Sequence, residues 1–326
     1  GEENAGDMLI WVGCDLARAE KALCDRVREL VAGLQPAIDG KKIVLSATHN
    51  HGAPCVRTAP KLAAELAGRG MDIPAEWSYY GIDAEAMSPL GFLEFAAPRI
   101  AAAIAEAWKN RKPGGVSFGL GHAVVSHNRN VVYTGGRAQQ FGRVDRPDFS
   151  HIEGYEDHSV GLLCTWSRAG ELTGVVVNVP CAAWGMGPCI TADFWHETRN
   201  ELRSRLGGRI HVLQQVAASA EQWPRVLVES RAHERMLKMT GRSWRQEIAV
   251  RLADAVTSIL PCMEQNIEWN PALVHRVEQV ALTRLHVTDE MARSRRMEFE
   301  RLLAEYRTMR EAIDANPGIR KQPKWL

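Results

Sequence analysis

Two histidines one residue apart, His49 and His51, stand in the run Lys42 to Pro54, KIVLSATHNHGAP. Neutral imidazole is the commonest protein ligand for zinc and similar ions, and imidazole is also the side chain that most readily moves protons near neutral pH. Along extended chain a period of two would point both rings to one side, which suits a shared ion or substrate. A surface turn whose histidines bond to backbone fits the same residues. Further on, Arg129 follows Ser126-His127-Asn128 and offers a guanidinium that could pair with a carboxylate or polarise a carbonyl. A third group, Asp148, Glu153, Glu156 and Asp157 around His151, Tyr155 and His158, could hold a metal or bond only to itself. Cys181 and Cys189 flank a Gly-rich loop and could pair or bind metal.

The elements that must position these groups alternate in type. Met8 to Val12 reads as a strand, and Leu16 to Leu34 as an amphipathic helix with Leu16, Ala19, Leu23, Val27, Leu30 and Val31 at helical spacing. Ile43-Val44-Leu45 reads as a buried strand, which Ser46-Ala47-Thr48 is too small and polar to continue, so the histidine pair falls at a sheet edge. Residues 55 to 90 read as irregular, with Trp77, Tyr79 and Tyr80 fit for a lid, a substrate wall or a satellite core. A helix over Phe92 to Trp108 and a strand over Val116 to Val125 follow. In that strand Gly119 and Gly121 would allow close approach of a neighbour or ligand. Val160 to Trp166 and Leu172 to Val179 form a hairpin, and the β-prone run VVVNV belongs in the middle of a sheet. Thr191 or Asp193 caps a helix from Phe194 to Leu206, and Ile210 to Leu213 is a further strand. Beyond it the chain is mainly helical, with an amphipathic helix from Trp244 to Leu260, a β-like Val277 to Val287, and a charged helix from Asp289 to about Ile313. The pattern predicts one α/β domain, a mixed β-sheet flanked by helices. Its strand ends at Thr48, Val125 and Val179 would converge on one cleft.

Composition narrows the function classes. The 326 residues are 45% hydrophobic with net charge +1, ample for a large core. With 40 basic against 39 acidic residues the chain lacks the strongly basic surface of a nucleic-acid-binding protein. No apolar run approaches the ~18 residues of a transmembrane helix, so a membrane span is not expected. The amino end has no basic region of the secretory type, and its first residues read as mid-domain. Seven cysteines, an odd number without a CxxC pair, read mostly as small buried residues. Nothing in the sequence speaks to oligomeric state.

Taken in order, four motifs resemble the neutral, non-lysosomal ceramidases, zinc amidases that split sphingosine from its fatty acid. They are Thr48-His49-Asn50-His51 with Gly52-Ala53-Pro54, Ser126-His127-Asn128-Arg129, Ile190-Thr191-Ala192-Asp193-Phe194, and the strand and loop of Val212 to Pro224. The likeness covers nearly the whole chain, numbers 1 to 326, read as a ceramidase-like catalytic domain without its first strand and C-terminal part. It implies a small-molecule or lipid amide substrate, with zinc-dependent hydrolysis of ceramide-type or other N-acyl amides, and it implies export. It also implies that His49 is a metal ligand and that His51 faces the substrate with Arg129 as a catalytic group. Asn128, Arg129 and Asp193 are then the substrate contacts. The second metal-ligand histidine of the family falls on Cys181, and the serine of its G-D-x-S-P loop falls on Trp223. The remaining glutamate and tyrosine ligands of that family correspond to positions beyond Leu326. These departures open a second expectation, a diverged relative that binds a ligand without turnover.

Overall fold

The computed structural model describes residues 7–54, 56, 87–184, 190–283 and 285–318. Trp77, Tyr79, Tyr80 and Cys189 lie outside them. The described residues fall into two compact units, numbers 1–277 and 278–326, a division for which the sequence showed no linker.

In the first unit, strands β1 (Ile10–Cys14) and β2 (Ile43–Ala47) pair in parallel, from Ile10 opposite Ile43 to Cys14 opposite Ala47. The crossover between them is helix α1 (Lys21–Leu34), which buries Leu23, Val27 and Val31, four residues apart. These pack with Leu93, Ala97, Ala101 and Ile104 of α2 (Pro89–Asn110) into one core. Strand β2 runs two residues further than its apolar pattern predicts. The Ser46 hydroxyl donates to the Val12 carbonyl and accepts from the Gln215 amide, so its polarity costs nothing there.

A mixed four-stranded sheet carries the larger core. Strands β3 (Gly114–His122), β8 (Ser159–Ser167), β9 (Leu172–Val179) and β10 (His211–Val216) lie in the order β10-β9-β8-β3. The β9–β10 pair is parallel around helix α3 (Phe194–Leu206), and the other pairs are antiparallel. The run VVVNV is interior, as its composition predicts. Trp195 and Leu202 of α3 meet Leu252, Val256 and Met263 of α5 (Trp244–Gln265) over this sheet. The fold is therefore α/β, with mixed sheets flanked by helices.

The polar segment after β3 contains more order than its composition suggests. Strands β4 (His127–Asn128) and β11 (Gln222–Trp223) pair antiparallel, while β5 (Asn130–Tyr133), β6 (Ala138–Gln140) and β7 (Phe149–Ile152) form a sheet in the order β6-β5-β7. Helix α4 (Ser230–Thr240) follows β11. In the other direction, the β-like run Val277 to Val287 forms no strand among its described residues. Val280 and Leu282 are 70% and 85% exposed, and β propensity without a surface to pack on does not make a strand.

The second unit holds α6 (Asp289–Ala315), capped by the Thr288 hydroxyl and laced by the pairs Arg295–Glu298, Arg301–Glu305 and Arg310–Asp314. This is the solvated charged face expected of it. Among the described residues, no helix is long and apolar enough to cross a membrane.

Helix α5 lies so close to β3 that the glycines there are obligatory. A Cβ on Gly121 would stand 2.9 Å from the Ala255 carbonyl oxygen, whereas one on Gly161 would meet only the Asn178 side chain at 3.6 Å. The close approach is to a helix, not to a ligand. Gly121→Ala should therefore lower unfolding free energy by about 1–3 kcal/mol, while Gly161→Ala stays within about 1 kcal/mol of wild type. Denaturant midpoints measure both, and equal midpoints would contradict this packing.

Candidate active site

The end of β2 delivers the histidines, and a set of backbone bonds fixes them. Thr48 N–H donates to the Cys14 carbonyl at 3.0 Å, and Asn50 N–H to that of Leu16 at 3.0 Å. Ala183 N–H then donates to the Thr48 carbonyl at 3.1 Å, and His51 N–H to the Ala183 carbonyl at 3.2 Å. The Asn50 side chain is buried, donates to the Thr191 carbonyl and accepts from Gly52 N–H at 2.9 Å, closing a tight turn. His49 sits at φ 55° in the left-handed region. The two imidazoles thus converge through a turn and not through strand alternation. Ring centres are 4.9 Å apart and the Nε2 atoms 3.3 Å apart.

His49 Nδ1 lies 3.0 Å from the Ala17 carbonyl, which can only accept, so Nδ1 carries the proton and Nε2 the lone pair. His51 Nε2 then donates to His49 Nε2. Around His51 the walls are aromatic. Trp184 stacks at 6.0 Å and 7°, Trp223 presents itself edge-on at 5.0 Å, and Phe141 closes against Trp184 at 5.0 Å and Trp223 at 5.9 Å. Trp223 is only 4% exposed.

The β4–β11 pair brings Arg129 to the same place. Arg129 N–H donates to the Glu221 carbonyl at 2.8 Å and its own carbonyl accepts from Phe141 N–H at 2.7 Å. The guanidinium carbon stands 4.7 Å from the Trp223 ring centre and 5.4 Å from that of Phe141. Among the described residues Arg129 makes no ion pair, and its Nε is buried without a hydrogen-bond partner. Burial lowers its pKa, with Glu221 acting in opposition. His51 is also lowered, by burial first and then by His49, Arg129 and Arg18. Its imidazole is therefore neutral at pH 7.

β3 ends at His122, short of the expected Val125, but the segments that follow β2, β3 and β9 do meet. Ala183 bonds to Thr48, the Cys181 thiol donates to the Val125 carbonyl at 3.5 Å, and Ala217 N–H donates to that of Val179 at 3.0 Å. Of the expected site residues, His49, His51 and Arg129 gather around Trp223. Asn128 adjoins them, buried, with its Oδ1 accepting from Asn130 N–H at 2.9 Å. The other two are placed in the framework. Asp193 is 0% exposed, caps α3 through Phe194 N–H and lies 3.5 Å from Arg245 Nε. Cys181 is buried, and that burial, followed by the Asp193 charge, pushes its thiol well above the usual range.

A catalytic zinc takes three protein ligands and keeps one position open. Here the donors are two imidazole nitrogens and a buried thiol held by a carbonyl. Among the described residues no group of three or more His, Cys, Asp or Glu side chains is disposed to hold a metal. The described residues do not fit a catalytic zinc. In the acidic cluster further on, Glu156 accepts from His127 Nδ1 at 3.0 Å and from His158 Nε2 at 3.2 Å, while Asp148 pairs with Arg146 and Asp157 accepts from Ser159 N–H.

Sequence reasoning passed over Phe141, Trp184, Arg18 and Arg225. The signal available was an aromatic or basic residue just past a strand or motif, which many structural residues share. Phe141 and Trp184 also line a cavity of about 1160 Å³, together with Phe149, Arg225, Leu227 and Trp244.

No protein-family model matches the sequence, and no curated protein matches it. Solved structures do. Neutral ceramidase from Pseudomonas aeruginosa superposes with TM-score 0.51 at 16% identity, covering 79% of this chain and 37% of that one. A structure described as ceramidase complexed with C2 gives TM-score 0.50 at 18% identity, covering 79% of this chain and 36% of that one. The chain spans little more than a third of the length of either. Across 79% of its residues, this chain has a ceramidase-like fold.

Proposed function

We propose that this chain acts as a ceramidase-like hydrolase of linear amides, taking a ceramide-type or other N-acyl amide. The observation that supports this reading is the meeting of His51 and Arg129 around Trp223, on a fold shared with neutral ceramidase. Hydrolysis bonds a water oxygen to the acyl carbon, breaks the C–N bond and leaves a carboxylate and an amine. His51, neutral at pH 7, takes the proton from the attacking water and passes it to the leaving nitrogen. Arg129, partly buried and without an ion pair among the described residues, stabilises the oxyanion that develops on the carbonyl. His49 is a positioning residue that holds the His51 ring through Nε2. No step runs through a metal ion, although the resemblance implies zinc.

Binding without turnover is a second reading, favoured by one feature. An indole, Trp223, stands where the resemblance expects a serine hydroxyl, and an indole neither attacks an acyl carbon nor accepts a proton.

A short-chain ceramide and simple N-acyl amides, assayed with and without chelator, test both readings. Turnover should fall by about 10²- to 10⁴-fold in His51→Ala. Tight binding with no turnover would favour the second reading, and neither binding nor turnover would sink both. Because the base acts unprotonated and its pKa is lowered, the rate should be full at pH 7. It should decline only as pH drops below about 6.5, the ordinary histidine value. An acid limb centred above pH 7 would remove His51 from the role.

Zinc content is checked separately, by elemental analysis after dialysis. Two imidazoles should retain well under one zinc per chain, and Cys181→Ala should change nothing because the thiol is protonated and bonded to Val125. Stoichiometric zinc that is lost in Cys181→Ala would reverse the assignment.

A further inference from the structure

The groups that act electrostatically on His51 are His49, Arg129 and Arg18, all basic side chains. Arg129 and Arg225 stand over the same ring, their guanidinium carbons 5.4 and 5.7 Å from the centre of Phe141. Among the described residues, neither has a carboxylate within ion-pair distance. Of the acids nearby, Asp145 is bound by Arg143 through both oxygens at 2.9 and 3.0 Å, Glu221 acts on Arg129 without an ion pair, and Glu229 and Glu234 line the cavity that Arg225 enters without pairing with it. Two guanidiniums beside one aromatic ring, Arg129 partly buried and Arg225 exposed, offer a carboxylate donors that each can present in bidentate geometry.

Apolar space adjoins this cationic end. Phe141 and Trp184 belong both to the packing around His51 and to the wall of the 1160 Å³ cavity, where Phe149, Leu227 and Trp244 continue it and Arg225 enters it. The arrangement is amphiphilic, with Arg129 and Arg225 at one end of the apolar wall.

Resting on the amide-hydrolase reading, we infer that the ligand is an anionic N-acyl amide, an N-acyl amino acid, and not a neutral one. Its acyl chain lies in the cavity, its amide reaches Arg129 and His51, and its carboxylate is held by Arg225 with Arg129. A neutral ceramide-type amide leaves those two guanidiniums without a partner.

Two isosteric probes isolate the carboxylate, N-dodecanoylglycine and its neutral counterpart N-dodecanoylglycinamide. Binding to the full 326-residue chain is read by calorimetry and by quenching of tryptophan fluorescence, since Trp184 and Trp223 line the site. The acid should bind at least about tenfold tighter than the amide at low ionic strength, with the gap narrowing as salt is added. Arg225→Gln should remove most of the preference without weakening the neutral probe. Arg225→Lys, which keeps the charge, should restore part of it, and an unchanged thermal midpoint shows that both variants fold. Equal affinity for the two probes would overturn this inference alone and leave amide recognition standing. Failure of both probes to bind would overturn it together with the amide reading. A preference for the acid that persists undiminished in Arg225→Gln would also overturn it, because the carboxylate would then be read elsewhere.

Discussion

A clasp of two backbone hydrogen bonds holds the site together, Ala183 N–H to the Thr48 carbonyl and His51 N–H to the Ala183 carbonyl. It joins the end of the two-stranded sheet to the chain leaving β9, an interior strand of the larger one. Each sheet has its own helices and its own core, and neither core includes the histidines. The geometry of His49 and His51 is thus set where two frameworks meet, and both must be in place before the rings can converge. Asn50, buried between them and bonded to Thr191 and Gly52, fills the space behind the turn with satisfied polar groups.

Burial and charge act together in the cleft. Trp184 and Trp223 pack against one side of His51, which is otherwise exposed, and this partial burial acts first, with His49, Arg129 and Arg18, to depress its protonation. The same indole ring of Trp223 touches His49, His51 and the Arg129 guanidinium. It does so because β11 pairs with β4, which sets Trp223 opposite His127 and beside Asn128 and Arg129. A two-residue strand pair therefore determines the electrostatics of the whole site.

The likeness to neutral ceramidase fixes an architecture, and an architecture can carry sites of different chemistry. In this chain the positions that the resemblance assigns to a second histidine ligand and to a serine hold a buried thiol and a buried indole. Both are well packed and neither is a reactive group in its surroundings. The strand-end framework is therefore shared, while the cleft has its own contents, aromatic and cationic.

Much of the framework was legible in the chain itself, because helix and strand periods and their breakers are local. The interior run VVVNV, the helix of Phe194 to Leu206 and its Asp193 cap follow from residue types within a few positions of one another. So did the meeting of His49, His51 and Arg129, through the order of short motifs after strands. The three-stranded sheet of residues 130 to 152 was hidden by polar composition, since its strands pair through backbone and leave most side chains in water. Val277 to Val287 shows the reverse, β-forming residues with nothing to pack on. Asp193 and Cys181 carry functional residue types, and only tertiary burial shows that one caps and pairs while the other is a protonated core thiol. Arg18, Phe141, Trp184 and Arg225 are far apart in sequence and carry no mark of their own. Their convergence is decided by long-range pairing such as that of Gln222 and Trp223 with Asn128 and His127, a separation over which side-chain pattern holds no information about contact.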